Sequence, residues 1–186
     1  MSKARDLANL LADGSIGAGE LASTLDLSGK TVTLPVGVGG KALQAVFNST
    51  GTEVQFGAAG TYTDIGLSAT ITPLLSSSRI LVLAAVQTRV FINSADNAGA
   101  LQLLRNESAI FAPSNTYQYG YNNANVYNTT AEESYVIPVT YLDSHGSTSA
   151  LTYKIQGVMR SGAGTNQIAF QDDSSFFSTI TLLELA

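Results

Sequence analysis

Two stretches of the chain alternate apolar and polar residues one by one. The first runs from Ile65 to Ile71 and is followed by Pro73, and the second runs from Leu151 to Arg160. Because successive side chains of a β-strand point to opposite faces, each stretch predicts a strand with one face in a core and one in solvent. Proline cannot donate to a strand ladder, so Pro73 predicts the end of the first strand.

The stretch from Ile80 to Val86 has a different pattern, because every residue in it is apolar. Polar residues return only at Gln87 and Arg89. This run predicts a strand that is covered on both faces. In a two-sheet sandwich the opposite sheet covers one face, and the other face needs a loop, the N-terminal arm or a neighbouring subunit.

Other segments rich in β-branched and aromatic residues predict further strands. They are Leu43 to Asn48, Glu53 to Phe56, Ala100 to Leu104, Ala109 to Phe111, Ser134 to Leu142, Gln167 to Phe170 and Phe177 to Leu185, with a turn at Ser49 to Gly51. In total about eight to ten strands follow residue 41, with no helical pattern among them. The pattern predicts an all-β fold, an antiparallel jelly-roll sandwich, with another Greek-key sandwich as the alternative.

The N-terminal part of the chain has a different character. A short helix is predicted over residues 2–12, with Leu7, Leu10 and Leu11 on one face and Gly14 beyond its end. A helix of about three turns is marginal in water, so these leucines need a partner. The alternative interpretation is a frayed terminus.

Glycines punctuate residues 14–40 and predict an extended arm. Its apolar residues, Ile16 and Leu21 among them, are too many for a solvated linker, so we expect the arm to lie against another surface. The chain therefore divides into an N-terminal helix and arm, residues 1–40, and a β-sandwich head, residues 41–186.

Charge and cysteine content exclude several classes of function. Only 12% of the 186 residues are charged, and the net charge is −5. The nine Lys and Arg residues are scattered, so we expect no nucleic-acid partner. The chain has no cysteine, which excludes disulfides, thiolate metal sites and a cysteine nucleophile. No apolar run has the length of a signal peptide or a membrane helix, so we expect no membrane insertion.

His145 is the single histidine, and it lies close to Asp143 and Ser144. Neighbours in one turn do not normally converge as a Ser/His/Asp triad, whereas Asp, Ser and Gly are typical of a hairpin loop. The loop is therefore the favoured interpretation.

Two pairs of adjacent carboxylates occur, Glu132 with Glu133 and Asp172 with Asp173. Adjacent residues on a strand point to opposite faces, so neither pair is placed to flank a glycosidic bond, and solvated strand ends are expected. A calcium site at Asp172 or Asp173 is the weaker alternative, since no loop has ordered ligand spacing. We predict no catalytic residue, no metal and no cofactor.

Residues 112–130 combine tyrosines with asparagines. Aromatic rings stack on sugar rings and amides reach sugar hydroxyls, which makes the segment a candidate site for a receptor or glycan. The alternative is that the tyrosines pack between subunits or cover the sandwich. The candidate residues are Tyr117, Tyr119, Tyr121, Asn122, Asn123 and Tyr127.

Several pieces of the chain resemble, in order, a module that is common in bacteriophage fibres. They are Thr63 to Pro73, Ser76 to Val82, Leu101 to Arg105, Tyr141 to Ser144, Thr152 to Gln156 and Ser178 to Ala186. The resemblance covers residues 60–186, and residues 112–130 do not align with the module. More weakly, Gly14 to Gly17 and Glu20 to Ala22 resemble N-terminal attachment segments of phage tail proteins.

This resemblance implies a jelly roll like those of tumour-necrosis-factor and complement-type heads, usually assembled as a trimer, with no cofactor and no reaction. The leading hypothesis is a trimeric short tail fibre or appendage of a phage virion, assembled in the host cytoplasm. It would attach to other virion proteins through its N-terminus and present a β head to host-surface polysaccharide. The candidate attachment residues are Leu7, Leu10, Leu11, Ile16 and Leu21.

Two other functions stay open. One is a capsid decoration or head-fibre protein with the same fold and no receptor. The other is an enzyme such as a polysaccharide depolymerase, for which the chain offers no convincing carboxylate pair.

Overall fold

The computed structural model describes residues 42–56, 59–92, 97–114, 118–122, 131–160, 166–173 and 175–186. All of these residues belong to the unit that begins at Gly37. The helix and arm predicted for residues 1–40 lie outside the described residues, and so do the candidate attachment residues Leu7, Leu10, Leu11, Ile16 and Leu21.

The described residues form eleven strands and no helix. The strands are β1 (Ala42–Thr50), β2 (Val54–Phe56), β3 (Thr63–Ile71), β4 (Arg79–Ile92), β5 (Asn97–Arg105), β6 (Ser108–Phe111), β7 (Tyr119–Asn122), β8 (Ala131–Asp143), β9 (Leu151–Met159), β10 (Gln167–Phe170) and β11 (Ser178–Leu185). All of their pairings are antiparallel, which confirms the predicted all-β antiparallel class. In the described part of the chain no helix could span a membrane.

The first sheet, sheet A, is built around the long strand β4. One side of β4 pairs with β8 from Ile80 to Ile92. The other side pairs with β11 near its start and with β10 near its end. Beyond these, β1 pairs with β11 and β2 pairs with β10. Sheet A is therefore four strands wide, with β8 at one edge and β1 followed by β2 at the other.

The second sheet, sheet B, has the order β3, β9, β5, and β6 and β7 pair one after the other with the remaining side of β5. The two members of each in-line pair, β1–β2, β6–β7 and β10–β11, share one edge of a neighbouring strand and act as one interrupted strand. Counted in this way, four strands form each sheet, and their order is that of a jelly-roll-like sandwich.

All four sheet edges are irregular. The β1–β2 edge is interrupted at residues 51–53, so the turn predicted there breaks the edge without reversing the chain. The β6–β7 edge is interrupted at residues 112–118. The edge strand β8 contains Pro138, and the edge strand β3 has a register shift at Gly66, whose φ of 76° suits glycine.

The core lies between the sheets, and alternate residues of β3, β4, β9 and β11 point into it. The apolar residues of the predicted alternation point inward, namely Ile65, Leu67, Ala69 and Ile71 on β3 and Leu151, Tyr153, Ile155 and Met159 on β9. The sheets approach closely at Gly157, where an added Cβ would lie 2.4 Å from the ring of Phe170. Glycine is needed here for space, since both residues are fully inside the sandwich.

Polar and aromatic contacts connect the sheets between β8 and the β5–β6 hairpin. Arg105 donates to both carboxylate oxygens of Asp143, at 2.9 and 2.8 Å, and the Tyr153 hydroxyl donates to the same carboxylate at 2.6 Å. Burial, helped by the hydrogen bond to Asp143, raises the pKa of Tyr153, so this hydroxyl stays a donor. Nearby, the rings of Phe111 and Tyr141 lie 6.0 Å apart.

Candidate interaction surface

The outward residues of β8, β4, β11 and β1 form a broad surface on sheet A, which we call the apolar face. The register aligns them in three rows: Leu142, Leu81, Leu183 and Ala45; then Thr140, Leu83, Thr181 and Phe47; then Pro138, Ala85, Thr179 and Ser49. All of them are half-buried or exposed, whereas the intervening residues Val82 and Ala84 of β4 are buried. None of the twelve carries a charge.

A fourth row continues the apolar face past residues 51–53. It contains Val136 and Gln87, which pair across β8 and β4. Beside them the ring of Phe177 lies over Gly51, where an added Cβ would come within 2.7 Å of it. Phe177 lies two residues before Thr179 of the apolar face, so this aromatic side chain continues the face over the interrupted edge.

Large exposed hydrophobic side chains are concentrated on this face. Eight such side chains occur in the described part of the chain, and five of them belong to the apolar face. Phe47, Val136 and Phe177 are the most exposed of the five, at 65%, 64% and 63%, and Leu83 and Leu142 complete the set. The two-sided apolar run in β4 thus has one face in the core and the other on this surface, without cover from the described residues.

Charged residues mark the two ends of the apolar face. At one end Arg89 is held between Glu132 and Asp172, with its Nε 2.6 Å from the Asp172 carboxylate. Burial opposes its charge, but the hydrogen bonds and charges of the two carboxylates prevail and raise the pKa of Arg89. Glu132 and Asp172 lie near strand ends with solvent access, as predicted, and the structure adds that both are partners of one arginine. At the other end lies Arg79, the first residue of β4.

Part of the outer surface of sheet B has the opposite character, and we call this part, around Lys154, Gln156 and Thr70, the polar face. Farther along β5 and β9 the outward residues Ala100 and Val158 are apolar and buried. Thr70 and Thr152 pair through their hydroxyls at 2.8 Å across β3 and β9. Gln102 donates to Gln156 at 2.7 Å across β5 and β9. Lys154 lies between two carboxylates, 2.6 Å from Glu107 and 3.2 Å from Asp64. Its polar groups thus meet partners on neighbouring strands, in contrast to the apolar face.

The candidate ligand residues divide between described and undescribed parts of the chain. Tyr119, Tyr121 and Asn122 lie on β7, which pairs with β5 at the edge of sheet B and was not predicted as a strand. Next to it, Gln118 connects to β5, because its side-chain oxygen accepts from the Leu101 amide at 2.7 Å. Tyr117, Asn123 and Tyr127 lie outside the described residues. Both interpretations of these tyrosines stay predictions.

Glu184 is a fully buried carboxylate that the sequence analysis did not single out. It accepts hydrogen bonds from Gln44 Nε2 at 2.6 Å, from the Leu74 amide at 2.9 Å, from the Leu75 amide at 3.1 Å and from the Ser78 hydroxyl at 2.6 Å. Burial alone would raise its pKa, but these donors outweigh it and the pKa of Glu184 is lowered. The carboxylate anchors the connection between β3 and β4. The sequence contained one signal for this buried carboxylate, namely a charged residue at an inward position of β11.

His145 joins this cluster from the connection between β8 and β9, so it does not lie in a hairpin within one sheet. Its Nδ1 accepts from the Ser147 amide at 3.1 Å, and its Nε2 lies 3.3 Å from the Ser78 hydroxyl. Ser78 therefore stands between the histidine and Glu184. In a nucleophilic triad the histidine stands between serine and acid, so this arrangement holds a loop and does not activate Ser78. The described residues also contain no cluster of three potential metal ligands.

Comparison with protein-family models finds no match, and comparison with curated proteins finds none. Among solved structures, the chain is similar to a chain in the structure of infectious bursal disease virus, Gx strain. The identity is 11% and the TM-score is 0.33, and the match covers 83% of this chain and 43% of the viral chain. The VP2 subviral particle of that virus is similar at 11% identity and a TM-score of 0.36, over 89% and 48%. The chain spans about half the length of these structures. Similarity at this level carries no argument about function.

Proposed function

We propose that this chain is a structural component of a bacteriophage particle and that it works by assembly and not by catalysis. The observation that carries the proposal is the apolar face, whose central rows span four strands without a charge. Contiguous exposed apolar surface on a folded protein marks contact with another molecule. The low charge content of the whole chain supports the same interpretation.

The resemblance to phage fibres supports the particle assignment. Its matching pieces fall on β3, β4, β5, β8, β9 and β11, which are strands of both sheets and form most of the core. A fold by itself does not determine function. The support therefore comes from the ordered matches together with a surface built for association.

In its specific form the proposal is a trimeric short tail fibre or appendage. Residues 1–40 attach to other virion proteins, and the sandwich is the distal head. Light scattering of the purified full chain tests the oligomeric part, with a mass of three chains as the expected result. A mass that stays at one chain across a concentration series would contradict it.

Labelling intact particles with an antibody against the sandwich tests the particle assignment. Label at the tail or at an appendage is the expected result. Label spread over the capsid would overturn the fibre form and favour a decoration protein. Purified particles that lack the chain altogether would overturn the proposal as a whole.

Host recognition through the tyrosine and asparagine segment is the further part of the proposal. Tyr119 and Tyr121 occupy alternate positions of β7 at an outer edge of sheet B. Replacing both by Ala is expected to reduce adsorption of particles to host cells, with Tyr62→Ala as the control. Unchanged adsorption with an unchanged oligomer would reject the receptor role. New reducing ends from host polysaccharide would instead contradict the non-enzymatic assignment.

A further inference from the structure

We infer that the occupant of the apolar face is a second copy of this chain. The inference rests on the proposed function, since an assembling subunit must have a surface for its copies. It is carried by three properties of the face: its charge distribution, the kind of polar group it contains and its size.

Charge distribution separates this face from the polar face. The chain has a net charge of −5, so two copies repel each other unless they meet where charge is absent. The three complete rows of the apolar face contain no charged residue, and Arg79 and the Arg89 cluster lie only at its two ends. On the polar face, by contrast, Lys154, Asp64 and Glu107 lie among the paired side chains. Contact between two polar faces would have to desolvate these charged groups.

The polar groups of the apolar face are suited to meeting themselves. Within the three rows they are hydroxyls only, from Thr140, Thr179, Thr181 and Ser49. A hydroxyl both donates and accepts, so it can pair with the same group of another copy. A carboxylate or an ammonium group cannot do this. A heterologous partner of fixed charge would find no counter-charge within these rows.

The size of the face fits the centre of a subunit interface. Four strands about 4.8 Å apart and four rows about 6.8 Å apart give roughly 500 Å² of planar surface. A specific interface covers about 800 Å² on each partner, with an apolar centre and a polar rim. The apolar face supplies the centre, and the charged ends and neighbouring loops supply the rim.

The test places one carboxylate on each face of the sandwich and measures the mass by light scattering. Leu83→Glu introduces the carboxylate in the centre of the apolar face. Thr70→Glu introduces the same group on the exposed side of β3 and serves as the control. Burying an unpaired charge between copies should raise the dissociation constant by about a hundredfold or more, so Leu83→Glu should be monomeric. Thr70→Glu should keep the wild-type mass, and unchanged thermal unfolding of a monomeric Leu83→Glu would show that it still folds.

Single-cysteine variants give a second readout, because the chain has no cysteine of its own. Thr181→Cys, on the apolar face, should be linked between copies by a short bis-maleimide, and Thr70→Cys should not. An oligomer that persists in Leu83→Glu, or equal linking of both cysteine variants, would overturn the inference and leave the particle assignment standing. The two proposals can also separate in the opposite way. If Leu83→Glu loses the oligomer but purified particles do not contain the protein, the inference is supported and the proposed function is overturned.

Discussion

The two outer faces of the sandwich follow the same strand alternation but have opposite chemistry. On the polar face, side chains pair across strands, as Thr70 does with Thr152 and Gln102 with Gln156. On the apolar face, leucine, phenylalanine and valine side chains occupy the equivalent outward positions. Both sheets nevertheless fill one core. The core is therefore filled without the apolar outward residues, and we expect them to contribute to association more than to folding.

The largest difference in the free energy of unfolding is expected between a substitution at an inward residue and one at an outward residue. Ile155→Ala empties a fully buried position on β9 and should lower the free energy of unfolding by roughly 2–5 kcal/mol. Leu83→Ala, on the apolar face, should change it by less than about 0.5 kcal/mol in the dissociated chain. Denaturant unfolding over a range of protein concentrations measures both and separates folding from association. An equal loss for Leu83→Ala at the lowest concentration would break the comparison.

Acid should destabilise the interior of the sandwich through Glu184. Hydrogen bonds from Leu74, Leu75 and Ser78 hold the pKa of Glu184 below its usual range. A lowered folded-state pKa adds stability at pH values above the unfolded carboxyl pKa, and that stability is lost as pH falls through the lowered value. Glu184→Gln should cost roughly 1–3 kcal/mol at neutral pH and weaken the acid dependence.

The matched control for this variant is Glu107→Gln, which makes the same change on the polar face, where Glu107 pairs with Lys154 at the surface. It should change the free energy of unfolding by less than about 0.5 kcal/mol and keep the acid dependence. The denaturant midpoint measured as a function of pH compares the two variants. Equal pH profiles for both would show that Glu184 does not anchor the loop.

Two glycines lie under phenylalanine rings, one in the interior and one at the surface, and substitutions at them should differ in their effect on the free energy of unfolding. An alanine at Gly157 would meet the buried ring of Phe170, which has no room to move, so the expected cost is about 1–3 kcal/mol. An alanine at Gly51 would meet the ring of Phe177, which is exposed and can turn away, so the cost should stay below about 0.5 kcal/mol. Thermal unfolding of the two variants measures the difference, and a reversed order would contradict the assignment of the two sides.

The smallest effect is expected on the polar face itself. Lys154→Gln removes the ion pairs with Asp64 and Glu107 and should cost at most about 1 kcal/mol. Because surface ion pairs are screened, the cost should shrink as salt is added. Denaturant unfolding at low and high ionic strength checks this. A large cost that salt does not change would mean that the polar face stabilises the fold more than its exposure indicates.

The alternation of single strands could be predicted because it depends on local sequence alone. The alternate apolar residues from Ile65 to Ile71 and from Leu151 to Met159 point inward as predicted, and Val158 is the one apolar residue of these stretches on the outer side. The run from Ile80 to Val86 also indicated correctly that β4 has a second apolar face. These predictions need only the two-residue period of a strand.

Partners across long sequence distances could not be predicted. The donors to Glu184 include the amides of Leu74 and Leu75, about 110 residues earlier, and they are backbone groups that any sequence carries. The in-line pairing of β10 and β11 with β4 depends likewise on the assembled sheet. Of residues 112–130 the structure describes 112–114 and 118–122, and β7 was missed because Tyr119–Asn122 contains no aliphatic residue and includes a glycine, unlike the other short strands.

The irregular edges described above restrict how copies can grow into larger structures. Straight, open strand edges let one sheet extend into the next and lead to fibrous aggregates without a size limit. Here one edge is interrupted between β1 and β2 and another between β6 and β7, Pro138 lacks an amide hydrogen, and β3 has a register shift at Gly66. Chains of this protein at high concentration should therefore be protected from growth into endless edge-to-edge polymers.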